Sequence, residues 1–271
     1  MKKQSASEEN KSLKTFFLYA VGVLFIILVA LLIKGFYLVQ QSRFDGKHHF
    51  TIALVKNEKV EKILGIDPGT NSVSLLEIKG ERVSSSSLGQ SLAVIPNALI
   101  QVPADFPEEE DFAKTMSNIA WRYNFVTSDI TIYDIGKLLF SSKNVPLANK
   151  TNEELVLPNK EIQIDRVISD LFTDDSILSE KVSIQIINAS EVPGMGKRLE
   201  RVLSNMGANV VAVSTAGTSE KSSKIQYFGE ETYTLQRIKD ILPFPSSLLA
   251  NQTIANIVIT LGKDSAKIKI F

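Results

Sequence analysis

The sequence contains no cysteine, and neither sign of charge is in surplus: 30 basic side chains stand against 30 acidic ones in 271 residues. The missing thiols exclude disulfides, thiolate catalysis and cysteine-held zinc. Zero net charge removes the electrostatic case for a nucleic-acid partner, which would draw on clustered positive charge. The two histidines, His48 and His49, are adjacent. They read as solvated linker rather than as a metal or pH-responsive pair, so no metal and no cofactor is expected.

One long apolar run is present. Phe16 to Ile33 carries no charge, and after Lys34 the run resumes through Phe36, Tyr37, Leu38 and Val39. About 20 apolar residues span a bilayer, and Lys34 reaches the interface by snorkelling. Aromatic residues at both ends suit the interfacial belts. The run is longer than a signal-peptide core, and no small-residue cleavage site follows. Residues 15–39 therefore read as an uncleaved transmembrane signal anchor and residues 1–14 as a cytoplasmic tail. Lys2, Lys3, Lys11 and Lys14 precede the span, while Lys34, Arg43 and Lys47 follow it. That bias places the N-terminus in the cytoplasm and the rest outside.

Residues 50–146 read as a mixed α/β domain. Strands are expected over Phe50–Val55, Val60–Ile66, Val73–Ile78 and Ile130–Ile135. Gly65 to Thr70 is similar to a phosphate loop of actin-like ATPases and to an acidic motif of some nucleases. Asp67-Pro68-Gly69 is equally a plain turn, with the glycine at the left-handed corner. Glu108 to Asp111 either bind calcium or favour the start of a helix, whose buried stripe is Phe112, Met116, Ile119, Ala120 and Tyr123. Ser84 to Ser87 lack a partner for nucleophilic chemistry and read as a loop. Residues 147–180 read as a connector with a short helix around Val167–Phe172, ended by Asp174-Asp175.

Residues 181–265 read as a small βαββαβ domain. Val182 to Ile187 favours a strand. Pro193-Gly194 opens a helix whose apolar stripe is Met195, Leu199, Val202, Leu203 and Met206, and Gly207 supplies the left-handed cap. Val210–Val213, Ile225–Phe228 and Ile254–Leu261 are strands, with a second helix on Leu235, Ile238, Ile241 and Leu242; Lys263–Phe271 forms a tail. Gly194-Met195-Gly196-Lys197 hints at an anion cradle. However, Glu191 and Arg198 break a Walker loop, and Leu199 breaks a dinucleotide fingerprint. A tight strand-to-helix turn is the reading that remains.

The run Ile187-Asn188-Ala189-Ser190, then Gly194 and Gly196, Gly207, and the closing Leu261-Gly262-Lys263-Asp264 resemble the LytR C-terminal domain. That domain accompanies the LytR-CpsA-Psr family of cell-envelope proteins. Ala189 replaces the family's glycine, and Met195-Gly196 replaces Leu-Ala. The resemblance makes Asn188, Gly194, Gly196, Gly207, Gly262, Lys263 and Asp264 the motif positions, mainly structural, and implies a cell-wall polymer or another envelope protein as partner. The strand Ser72–Ile78 also resembles one in the family's catalytic domain. There it continues into Ile-Pro-Arg-Asp-Thr; here Gly80 and Glu81 stand at the arginine and aspartate positions.

Together these features imply a single-pass membrane protein with two external α/β domains, binding or organising bacterial envelope components without catalysing a reaction. The alternatives are a phosphotransferase moving envelope polymer from a polyprenyl-pyrophosphate carrier to the wall, and a scaffold of a membrane complex.

Overall fold

The computed structural model describes residues 2–251 and 254–268, with side chains from residue 16 onward. Helix α1 (Lys2–Gln40) carries the apolar run. Over Phe16–Gln40 it is long and apolar enough to cross a membrane, and among the described residues no other helix is.

The first sheet is built on a hairpin, β1 (Phe50–Lys56) with β2 (Lys59–Asp67). Asn57 and Glu58 both take left-handed backbone (φ 51 and 63), as a two-residue hairpin turn requires. The chain continues through β3 (Ser72–Gly80), α2 (Leu88–Leu92), β4 (Ala98–Val102), α3 (Phe112–Trp121), β5 (Thr127–Ser128), α4 (Ile132–Lys143), β6 (Lys150–Leu157), α5 (Glu161–Phe172) and α6 (Asp175–Glu180). The sheet order is β5-β4-β1-β2-β3-β6, with β4 parallel to β1 and β6 parallel to β3. Ile52, Leu54, Leu64 and Leu75 face α3 and α4, whereas Ala53, Val55, Ile63 and Leu76 face α2 and α5. Both faces are covered, so β1 is buried almost throughout instead of alternating.

The second sheet contains β7 (Ser183–Asn188), β8 (Asn209–Thr215), β9 (Lys224–Tyr227), β10 (Ser246–Leu248) and β11 (Ile257–Leu261), in the order β10-β9-β11-β7-β8. Helices α7 (Met195–Asn205) and α8 (Tyr233–Ile241) cover one face. Through these helices it meets the first unit: α7 packs on α5, α8 on α6, and Ala93 joins the second core. The mixed α/β architecture with an N-terminal apolar helix is the one expected. The βαββαβ order carries one addition, the three-residue β10, whose exposed Ser-Ser-Leu has no apolar pattern.

Several elements differ from expectation. Ile130–Ile135 is not a strand: Thr131 caps α4 in a reciprocal capping box with Asp134, and Ile135, Leu138 and Ser142 are its buried side. The stretch 147–180 holds the edge strand β6 and two helices. Most of β6 is exposed and polar; backbone pairing with β3, not apolar alternation, places it. Helix α5 starts at Glu161, and Asp174 caps α6 instead of merely ending α5. In the Asp67–Asn71 turn, Asn71 holds the left-handed position (φ 50), not Gly69. Asp67 Oδ1 accepts from the N–H groups of Gly69 and Thr70. The last strand begins at Ile257 rather than Ile254, and 269–271 of the tail lie outside the described residues.

Candidate functional site

The motif of the second unit gathers where β7 and β11 end side by side. Asn188 Nδ2 donates to the Val192 carbonyl, and its Oδ1 accepts from the Ser190 N–H and hydroxyl. Its amide is thus spent on shaping the loop. Gly194 takes φ +79 at the head of α7. A Cβ on Gly196 would lie 3.0 Å from Val213 Cγ1, so the missing side chain lets α7 approach β8. Asp264 Oδ1 accepts from the N–H and hydroxyl of Ser223, while Gly262 sits where a Cβ would meet Ser222 backbone at 2.5 Å. Lys263 pairs with Glu191 at 2.9 Å on the surface. Gly207 lies at the far end of α7, left-handed (φ +93) as expected of a helix cap. These residues join loops to strands and leave no converging set of free polar groups.

A concavity between the two units was not legible in the motifs. It encloses about 600 Å³ and is walled by Phe50, Leu88, Val94, Ile95, Leu99 and Ile241. Four charged side chains enter it: Arg43 and Asp129 from the first unit and its approach, Arg237 and Asp240 from α8. Arg43 Nη1 donates to the Asn97 carbonyl at 3.5 Å. Asn97 is itself fixed, its Oδ1 accepting from Thr51 N–H at 2.9 Å. Asp129 Oδ2 accepts from Leu99 N–H at 3.2 Å. Among the described residues Arg237 makes no hydrogen bond or ion pair. Burial pulls its guanidinium below the ordinary arginine value, while nearby Tyr233, Asp240 and Asp174 act the other way; it stays charged at neutral pH. The mouth is adjacent to the end of α1, because Arg43 follows Gln40 by three residues.

The two histidines are not solvated linker. The His48 ring stacks on Tyr233 of α8 at 3.8 Å between centroids, and its Nδ1 lies 2.5 Å from Asp45 Oδ2. Tyr233 in turn donates to Asp174 Oδ2 at 2.8 Å; burial, then the Asp174 charge, push its hydroxyl well above the usual tyrosine range. His49 is buried, with Nε2 3.1 Å from Thr51 Oγ1. Its Nδ1 lies 3.9 Å from Asp67 Oδ2, an ion-pair distance and too long for a hydrogen bond. The His49 ring and the Gly69 and Thr70 N–H groups outweigh desolvation and hold the Asp67 carboxyl below the ordinary carboxylate range. A second seam closes the units: Arg201 Nε on α7 donates to both carboxylate oxygens of Asp165 on α5, at 2.6 and 2.8 Å.

Arg82 and Arg122 do not enter the cleft. Arg82 is exposed, and Arg122 pairs with Asp105 at 3.2 Å. Glu108 to Asp111 form no metal cluster among the described residues; Asp111 instead caps α3. Of the Ser84–Ser87 loop, Ser85 lines the cleft. The signal for Arg43, Asp129, Arg237 and Asp240 is not local: charges from three distant stretches of the chain meet only when α8 docks beside the chain leaving α1.

No curated protein matches this chain. The Lin1025 protein from Listeria innocua is similar at 10% identity and a TM-score of 0.34, over 46% of this chain and 97% of that one. The putative transcriptional factor Lmo1026 from Listeria monocytogenes is similar at 12% identity and a TM-score of 0.28, over 41% and 83%. Likeness at that level supports no conclusion. The second unit is different: residues 181–264 match the LytR_C family, the LytR cell envelope-related transcriptional attenuator.

Proposed function

We propose that this chain is a membrane-anchored, extracytoplasmic protein of the bacterial envelope that binds wall polymer in the cleft between its two α/β units. The observation that carries the reading is the cleft itself. Two arginines and two aspartates stand over an apolar floor beside the end of α1. Paired donors and acceptors around an apolar surface suit a hydroxyl-rich polymer bearing scattered charge. The lysines ahead of the apolar run of α1 support an inside N-terminus, and the family description supports the envelope as the setting. No enzymatic step is assigned. Phosphoryl transfer from a pyrophosphate carrier needs a concentration of cations on the phosphate oxygens, and here Asp129 and Asp240 offset Arg43 and Arg237.

The test is binding of the detergent-solubilised full chain to purified wall-polymer fractions. Retention should fall by roughly tenfold, about 1.4 kcal/mol, when Arg43 or Arg237 becomes alanine and one charge-assisted contact is lost. Unchanged retention in both variants overturns the cleft as the site. The transferase alternative rests on the same two arginines. It would be favoured if magnesium and a polyprenyl-pyrophosphate substrate gave turnover that Arg237→Ala abolished.

A further inference from the structure

Helix α4 lies directly against the chain that leaves α1. The Ser42 hydroxyl donates to Asp134 Oδ1 at 2.5 Å, and the Phe44 N–H donates to the same oxygen at 3.1 Å. Lys137, one turn along, reaches the Ser42 hydroxyl at 2.7 Å and the Phe44 carbonyl. The Lys137 side of α4 therefore sits at the level where α1 ends.

Residues three and four apart share a helix face, so Tyr133 and Phe140 lie to either side of Lys137 on that face. Tyr133 is 43% exposed, Phe140 72%, and Leu147, just beyond the helix, 85%. Lys143 is exposed on the same side. The opposite side of α4 is fully committed, with Ile135 and Leu138 in the first core. A face of aromatic and aliphatic side chains flanked by lysines has the composition of a helix lying in a membrane interface. At 12 residues, about 18 Å, it is too short to span a bilayer but long enough to rest along one.

We propose that α4 lies flat in the headgroup region of the bilayer that α1 crosses, with Tyr133, Phe140 and Leu147 among the upper acyl chains and Lys143 at the lipid phosphates. The occupant is the anionic bilayer and not a second protein, because this face is continuous with the membrane span through Ser42, Phe44 and Lys137. One consequence is orientation. A rod leaving the membrane through a flexible neck would let the units tumble, whereas a second contact fixes how the cleft mouth stands over the lipid surface. The proposal rests on reading α1 as a membrane span, and the experiment separates the two.

The sequence has no cysteine, so single cysteines label cleanly. Phe140→Cys, Leu147→Cys, Leu28→Cys within α1 and Val211→Cys on the edge strand β8 of the second sheet are each made in the full chain. Each variant is labelled with an environment-sensitive fluorophore and reconstituted into vesicles of zwitterionic and anionic lipids carrying brominated acyl chains. Labels at 28, 140 and 147 should lose much of their emission to the bromines, those at 140 and 147 most with bromines near the headgroup, while the label at 211 keeps its emission. Quenching at 28 without quenching at 140 and 147 overturns the interfacial helix and leaves the anchor standing. Loss of quenching at all of these positions overturns the anchor and the proposal with it. A blue-shifted label at 140 that bromines do not reach shows a protein covering that face, which also overturns the proposal.

Discussion

The hydroxyl of Ser42, two residues beyond the end of α1, donates a 2.5 Å hydrogen bond to the fully buried carboxylate of Asp134. The same carboxylate accepts from the Phe44 N–H, the Thr131 N–H and the Thr131 hydroxyl. One side chain thus completes the capping box of α4 and fastens the chain leaving α1 to the first unit.

Burial raises the Asp134 carboxyl, but these hydrogen bonds outweigh it and hold it below the ordinary carboxylate range. The folded state therefore binds this proton more weakly than the unfolded chain does. The stabilisation is complete above the ordinary value near pH 4 and is lost as pH falls from there through the lowered value. Asp134→Ala should cost about 2–4 kcal/mol, from the loss of its half of the capping box and four donors left without this acceptor. Urea unfolding at pH 7 and pH 3 checks both points: the variant should lose less stability on acidification than the parent.

Arg201 Nε is shared between the two carboxylate oxygens of Asp165 across α7 and α5, and Asn205 Nδ2 donates to the same aspartate at 3.1 Å. The pair is partly exposed, so its worth is reduced by solvent screening. Either single alanine substitution should destabilise by about 1–2 kcal/mol. The double variant should cost less than the sum of the two, which a double-mutant cycle in urea measures. Arg201→Lys should retain only part of it, because a single ammonium cannot serve Asp165 and also reach the Gln90 carbonyl and Glu161, as Arg201 Nη1 does.

Gly207 combines left-handed backbone with a crowded neighbourhood: a Cβ there would lie 3.0 Å from Thr173 Cγ2 and 3.2 Å from the Asp174 carbonyl. Gly207→Val should destabilise by about 1–3 kcal/mol. Gly262→Ala should also destabilise, for a different reason. Its φ of −89° is ordinary, but the new methyl would press on Ser222 backbone. Thermal melts of the two variants check this, and a neutral result at either position contradicts the packing described.

Where burial enforces a period, the sequence was legible. The α7 stripe, its glycine cap and the first hairpin follow from apolar spacing and turn chemistry alone. Two kinds of element escaped. Strand β6 is an edge whose outward residues are polar, so pairing rather than pattern defines it. Helix α4 opens with Thr131-Ile132-Tyr133-Asp134, whose β-branched and aromatic residues imitate a strand unless the capping box is weighed first. The candidate site escaped for another reason: Arg43 and Arg237 are unremarkable where they stand in the chain, and only the docking of α8 brings them to one cleft. The surroundings of His48 and His49 are not legible locally either, because their ring partners, Tyr233 and Phe172, lie far along the chain.

The proposed function requires α1 to cross a membrane and both α/β units to lie on its outer side. Protease added to intact spheroplasts carrying the full chain, followed by blotting for an epitope at the C-terminus, tests this directly. The account predicts that the C-terminal epitope is lost while the membrane is still sealed. An epitope that survives until the membrane is lysed would contradict it.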